Sequence, residues 1–154
     1  MEEISRRIKM PKIKLELDDV EEAVLVPEGE YDLQVVRVDD GESKKGNEMT
    51  TVYIKVLDAD VPNPNLVRHW ITYPNSETPP DQMQMRLLDI KRFLHCFSID
   101  APDGEVDSDE FLHATGRATI VQEEGDDGNT YNRLRLPRLK KSEEKAAKRS
   151  RMRG

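Results

Sequence analysis

The chain has 154 residues, which is enough for one domain with its own core and room for arms, but short for two domains. Apolar and charged residues each make up 36% of it, so the core must be compact and much of the chain solvated. No run approaches the roughly 20 apolar residues of a membrane span, no apolar stretch follows the charged start Met1–Lys9 as in a signal peptide, and the single cysteine, Cys96, excludes an internal disulfide.

The net charge of -7 is unevenly spread. Residues 1–137 carry -13 and residues 138–154 carry +6, an acidic body with a basic tail. The body's charge argues against nucleic acid as a whole. A local cationic patch can still hold phosphate, because screening limits charge effects to about 8–10 Å at ordinary salt.

Residues 1–27 read as an N-terminal arm. Glu16, Asp18, Asp19, Glu21, Glu22, Glu28 and Glu30 follow one another with no basic residue among them. The domain is expected over 28–138. Tyr31–Asp39 predicts a first strand, the polar stretch 40–47 a loop, and Met49–Leu57 a second strand with Val52, Ile54 and Val56 on one face. Leu66–Tyr73 predicts a third strand. The period then changes: Met83, Leu87, Ile90, Leu94 and Phe97 recur at steps of four and three, the stripe of an amphipathic helix. Thr78 is placed to cap it, Pro79 to occupy its first position and Asp81 to complete a capping box. Asp107–Ala114 reads as a short helical turn stopped by Gly116. Arg117–Glu123 and Thr130–Leu136 predict strands four and five around the hairpin loop 125–129. Residues 139–154 read as a basic, disordered tail.

Three strands, a helix and two strands fit a mainly β fold: a five-stranded, partly open OB-fold barrel with one helix between strands three and four. The same order also fits an open sheet with a helix across it.

No phosphate loop or nucleophile elbow is present, so the sequence offers no enzyme site. Asp107, Asp109 and Glu110 read as helix-start residues, and Asp126 and Asp127 as turn residues. His95 and Cys96 are adjacent while His69 and His113 are distant, which is not the spacing of a zinc site. No metal or other cofactor is expected.

Strand alternation carries the functional reading. With Val52, Ile54 and Val56 inward, Tyr53 and Lys55 point outward. With Val67 and Ile71 inward, Arg68 and Trp70 point outward. With Leu134 and Leu136 inward, Tyr131, Arg133 and Arg135 point outward. Aromatics interleaved with cations suit single-stranded nucleic acid, because rings stack bases at about 1–3 kcal/mol each while cations follow the phosphates. Lys44 and Lys45 add charge in the first hairpin loop, which borders the groove in an OB-fold. The alternative reading of Trp70 and the tyrosines is cross-strand packing. The face assignment assumes no β-bulge, which would reverse it. The acidic arm is expected to mimic a nucleic-acid strand and lie in the groove.

Several stretches resemble the phage-encoded single-stranded-DNA-binding proteins with an OB-fold, a family long described only as a domain of unknown function. They are Lys14–Glu21, Pro27–Tyr31, Lys45-Gly46-Asn47, Arg86–Phe97, Phe111–Ala118 and Gly128–Leu134, together spanning about residues 12–138. The resemblance implies a non-enzymatic protein that protects single-stranded DNA during phage replication or recombination in the host bacterial cytoplasm. It implies phage replication or recombination proteins as partners, and no membrane. The basic tail departs from the acidic, partner-recruiting tail of many single-stranded-DNA-binding proteins. The rival expectation is a protein-interaction or virion-associated module that offers the same barrel to a protein partner.

Overall fold

The structure is a computed structural model, and it describes residues 12–18 and 20–139. The basic tail from residue 140 lies outside the described residues. Five strands form one antiparallel sheet: β1 (Gly29–Glu42), β2 (Glu48–Val56), β3 (Val67–Thr72), β4 (Thr115–Glu124) and β5 (Thr130–Arg135). Their order across the sheet is β3-β2-β1-β4-β5. One helix, α1 (Pro80–Cys96), lies between β3 and β4 in the chain.

The mainly β class, the element order and the five strands agree with the sequence reading, but the expected closure does not. Among the described residues no ladder joins β3 to β5, so the sheet remains open. Part of the place where a ladder would run is taken by the arm. Val24 forms a parallel bridge with Pro64, its N–H donating to the Asn63 carbonyl at 2.8 Å and its carbonyl accepting from Asn65 N–H at 2.9 Å. Two residues on, Val26 is fully buried and tied to β5 by the side chain of Asn132. Val26 stands on the arm side of the boundary drawn at residue 28, yet it belongs to the core.

β1 has 14 residues, about 45 Å at strand rise, and it serves two neighbours. Its first half pairs with β4 and its second half with β2. A β-bulge makes the bend: Val35 pairs with Ile54 and Arg37 with Tyr53, leaving Val36 as the extra residue. Leu33 and Val35 are buried before the bulge, and beyond it Val38 packs against the core while Arg37 faces solvent.

The core lies between the inner face of the sheet and the C-terminal half of α1. Phe93, Phe97 and Phe111 pack together, with ring centroids 4.9 and 5.1 Å from Phe93. The predicted helical stripe is corrected here. Leu87 is exposed, while Ile90, Phe93 and Phe97 are buried, because only the last turns of α1 reach the sheet. Gly116 permits that approach: a Cβ there would stand 2.4 Å from the Cys96 carbonyl oxygen, so any side chain would push α1 away from β4.

Two further expectations are corrected. Thr78 does not cap α1, which has Pro79 at its N-cap, Pro80 as its first residue and no side-chain cap bond. The Thr78 hydroxyl instead accepts from Asn75 N–H at 2.9 Å and closes the preceding turn. The segment after α1 forms a 3-10 turn over Ser108–Phe111, started by Asp107, whose carboxylate accepts from Asp109 N–H at 3.0 Å. It ends at Leu112, well before Gly116, which lies inside β4.

The buried Thr50 and Asn132 side chains find partners, whereas Arg92 Nε on α1 is buried with none among the described residues. The buried Thr50 hydroxyl donates to Asp40 at 2.7 Å and lies 2.8 Å from the Tyr73 hydroxyl, while Ser108 donates to the other Asp40 oxygen at 2.7 Å. Burial pushes the Tyr73 phenol above its ordinary range. The His69 ring stacks on Phe93 at 5.8 Å, and burial lowers its pKa, partly opposed by Asp89.

Candidate nucleic-acid interface

The outer face of β1, β2 and β3 carries a transverse row. Arg37, Tyr53 and Arg68 are direct cross-strand neighbours. The Arg37 guanidinium lies 4.8 Å from the Tyr53 ring centroid and that of Arg68 lies 5.6 Å from it. Two residues beyond Arg68, Trp70 begins a second group. The Arg133 guanidinium from β5 lies 5.2 Å from the Trp70 ring and 4.9 Å from the Tyr131 ring. That one side chain spans the gap between the two sheet edges. All four cation–π contacts among the described residues fall in this row.

Tyr131 is held firmly. Its hydroxyl donates to the Asp127 carboxylate in the β4–β5 hairpin, and this bond keeps Asp127 below the usual carboxylate range. Asp127 also accepts from Asn129 N–H at 3.0 Å and from the Asn129 amide at 3.2 Å, the turn role read from the sequence. A Cβ on Gly125 would lie 2.8 Å from the Tyr131 ring, so glycine leaves the space that this ring occupies.

Arg68, Trp70, Tyr131 and Arg133 line a groove of about 1190 Å³ together with the arm residues Glu22, Ala23 and Leu25. Trp70 is 43% exposed there. It is therefore not the core tryptophan that a lone Trp often is.

Of the nine candidate residues, five meet in these contacts: Tyr53, Arg68, Trp70, Tyr131 and Arg133. Lys55 shares the outer face, opposite Gln34, and Arg135 continues the β5 face opposite Thr119. Lys44 and Lys45 are exposed in the turn of the β1–β2 hairpin, which Ser43 N–H closes by donating to the Asn47 carbonyl at 2.8 Å. They do not join the row.

Sequence reasoning missed Arg37. In an unbroken strand with Leu33 and Val35 inward it would point to the core. The adjacent valines, Val35 and Val36, are the only local trace of the bulge. The acidic arm is expected in the groove and Glu22 does line it, but Asp127 of the hairpin, read from the sequence only as a turn residue, lines the same groove as the arginines and was missed. Arg37 pairs with Asp39 at 3.0 Å, whereas no carboxylate among the described residues pairs with Arg133. Elsewhere on the outer face Arg117 is fully engaged, at 3.1 Å from Glu30, 2.9 Å from Asp32 and 3.4 Å from Asp58. At the β3–β5 gap, Arg68 and Arg133 are free of ion pairs with the described residues.

A family model matches residues 13–148 of the chain. The chain belongs to the family described as Protein of unknown function (DUF669). The DUF669 match takes in the arm from Ile13 onward, all five strands and α1, so the residues that line the groove lie inside the family's region. A search of curated proteins found no match. No helix among the described residues is long and apolar enough to cross a membrane.

Proposed function

We propose that this DUF669 protein binds single-stranded DNA with little sequence preference on the outer face of an OB-fold. The observation that carries the reading is the row of three aromatics and three arginines crossing from β1 to β5. Stacking rings give affinity for any base, and the guanidinium groups answer the phosphates that join the bases. What supports the OB-fold is the strand order, the helix between β3 and β4, and the approach of β3 to β5 through Trp70 and Arg133. The binding role fits protection of single strands during phage replication or recombination in the host cytoplasm, without catalysis by this chain.

A basic recognition helix would suit duplex DNA. α1 instead mixes Arg86, Lys91 and Arg92 with Asp81 and Asp89, so a preference for single strands is expected. The decisive experiment is anisotropy of labelled oligo-dT and of an equally long duplex, titrated with the full chain at several salt concentrations. Four to six phosphate contacts give a log–log salt slope near -3 to -4 for a single strand, at about -0.7 per contact. Preference for the single strand with that slope sustains the reading.

The acids in the groove favour a second reading, a protein partner with a basic segment. Absence of binding to either nucleic acid would select it.

A further inference from the structure

We infer that the space between Trp70 and Tyr131 is a slot for one nucleobase, and that Arg133 occupies it in the free protein. On entry of a base, the guanidinium leaves the slot for the neighbouring phosphate. This rests on the single-strand reading and specifies how its central contact is made.

A guanidinium is planar and delocalised, and it lies against aromatic faces as a base does. Arg133 contacts both rings at about 5 Å and is otherwise held only weakly, through a 3.5 Å bond from Nη1 to the Asn132 carbonyl. Among the described residues no ion pair anchors it, and the hairpin acid Asp127 is taken by Tyr131 and Asn129. The walls of the slot differ from their occupant. Tyr131 is fixed by its hydroxyl bond and by the space over Gly125, and Trp70 is placed on β3 opposite Thr51. A fixed ring, a second ring across a gap and a loosely held planar cation between them form a site already shaped for a flat, electron-rich guest. The displaced charge need not travel far, since the phosphate of the incoming nucleotide arrives with its base.

The test uses Trp70, the chain's one tryptophan, as a reporter. The full-length wild type, Arg133→Ala and Arg133→Lys are titrated with oligo-dT at low and high salt, following Trp70 emission and the anisotropy of the labelled oligonucleotide. Saturation is expected to quench Trp70 in all three. At low salt Arg133→Ala binds more weakly than wild type, and its salt slope is shallower by about 0.7, one phosphate contact. At high salt the order reverses. With no cation to displace, Arg133→Ala binds about two- to fivefold more tightly, the value of one exposed cation–π contact. Arg133→Lys keeps the wild-type slope.

Trp70 emission that ignores saturating oligo-dT overturns the slot, as does an alanine variant weaker than wild type at every salt. Both outcomes leave single-strand binding standing. A wild type that never binds oligo-dT defeats the binding reading and the slot together. Thermal melts check that the variants fold, and the wild-type emission change decides the matter even if Arg133→Ala does not.

Discussion

Asn132 on β5 treats Val26 of the arm as if it were a neighbouring strand. Val26 N–H donates to Asn132 Oδ1 at 2.8 Å, and Asn132 Nδ2 donates back to the Val26 carbonyl at 2.9 Å. A side-chain amide presents a donor and an acceptor side by side, as the N–H and C=O of one strand residue do, so it can take the place of one rung of a ladder. Gln122 adds a third bond, donating to the same carbonyl at 3.0 Å. Asn132→Leu leaves the buried Val26 N–H unpaired and should cost about 1–3 kcal/mol. Val26→Ala should cost roughly 2 kcal/mol through lost burial and the cavity left behind. Urea denaturation of the two variants against wild type measures both effects.

The same contact shapes how the arm should be tested. Removing residues 1–26 would take out a core residue along with the acids. Glu22→Gln changes the charge in the groove and spares the core. If the arm competes with nucleic acid, this variant should bind oligo-dT more tightly at low salt, with the gain fading as salt rises. Anisotropy titrations at two salt concentrations check it, and an unchanged or lower affinity would remove the arm from this role.

Tyr131 separates ring from hydroxyl. Tyr131→Ala should weaken oligo-dT binding by about 1–3 kcal/mol, the value of one stacked base. Tyr131→Phe keeps the ring and gives up the bond to Asp127, and should retain most of the affinity. Similar losses in both variants would assign the effect to the hairpin rather than to stacking.

Arg37 should behave as a phosphate contact although the alternation of an unbroken β1 turns it inward. Arg37→Gln is expected to make the salt slope shallower by about 0.7 and to leave the melting temperature nearly unchanged, since its pair with Asp39 is exposed. A slope equal to wild type would exclude it from the interface.

His69 gives a pH dependence with a definite sign. Burial lowers its folded pKa, so below the ordinary value near 6.5 the unfolded chain takes up the proton first. The stability that comes from keeping His69 neutral is therefore complete above pH 6.5 and declines as the pH falls through that value. Melting temperatures between pH 7.5 and 5.5 should fall for wild type and fall less for His69→Phe, which keeps a ring against Phe93.

Much of the sheet can be read from alternation. Val52, Ile54 and Val56 on β2 and Val67 and Ile71 on β3 are buried, so Tyr53, Arg68 and Trp70 face outward as the period requires. Local rules fail where a tertiary contact decides. The bulge at Val36 depends on β1 serving two partners in turn. Val26 looks like one more arm residue until Asn132, more than a hundred positions later, captures it. α1 shows an apolar stripe from Met83 onward, but which part is buried depends on how far the helix overhangs the sheet. Whether the sheet closes depends on what fills the gap between β3 and β5, and one-dimensional spacing carries no record of that.

An open sheet leaves β3 and β5 each with a border of backbone groups that another copy could extend. Arg68, Arg133 and Arg135 lie along those borders and discourage such pairing, and at neutral pH every copy also carries a net charge of -7. That shared repulsion works like a colloid's surface charge. It vanishes near the isoelectric point of about 5.1, so mild acid is where copies of this chain would meet edge to edge with the least resistance.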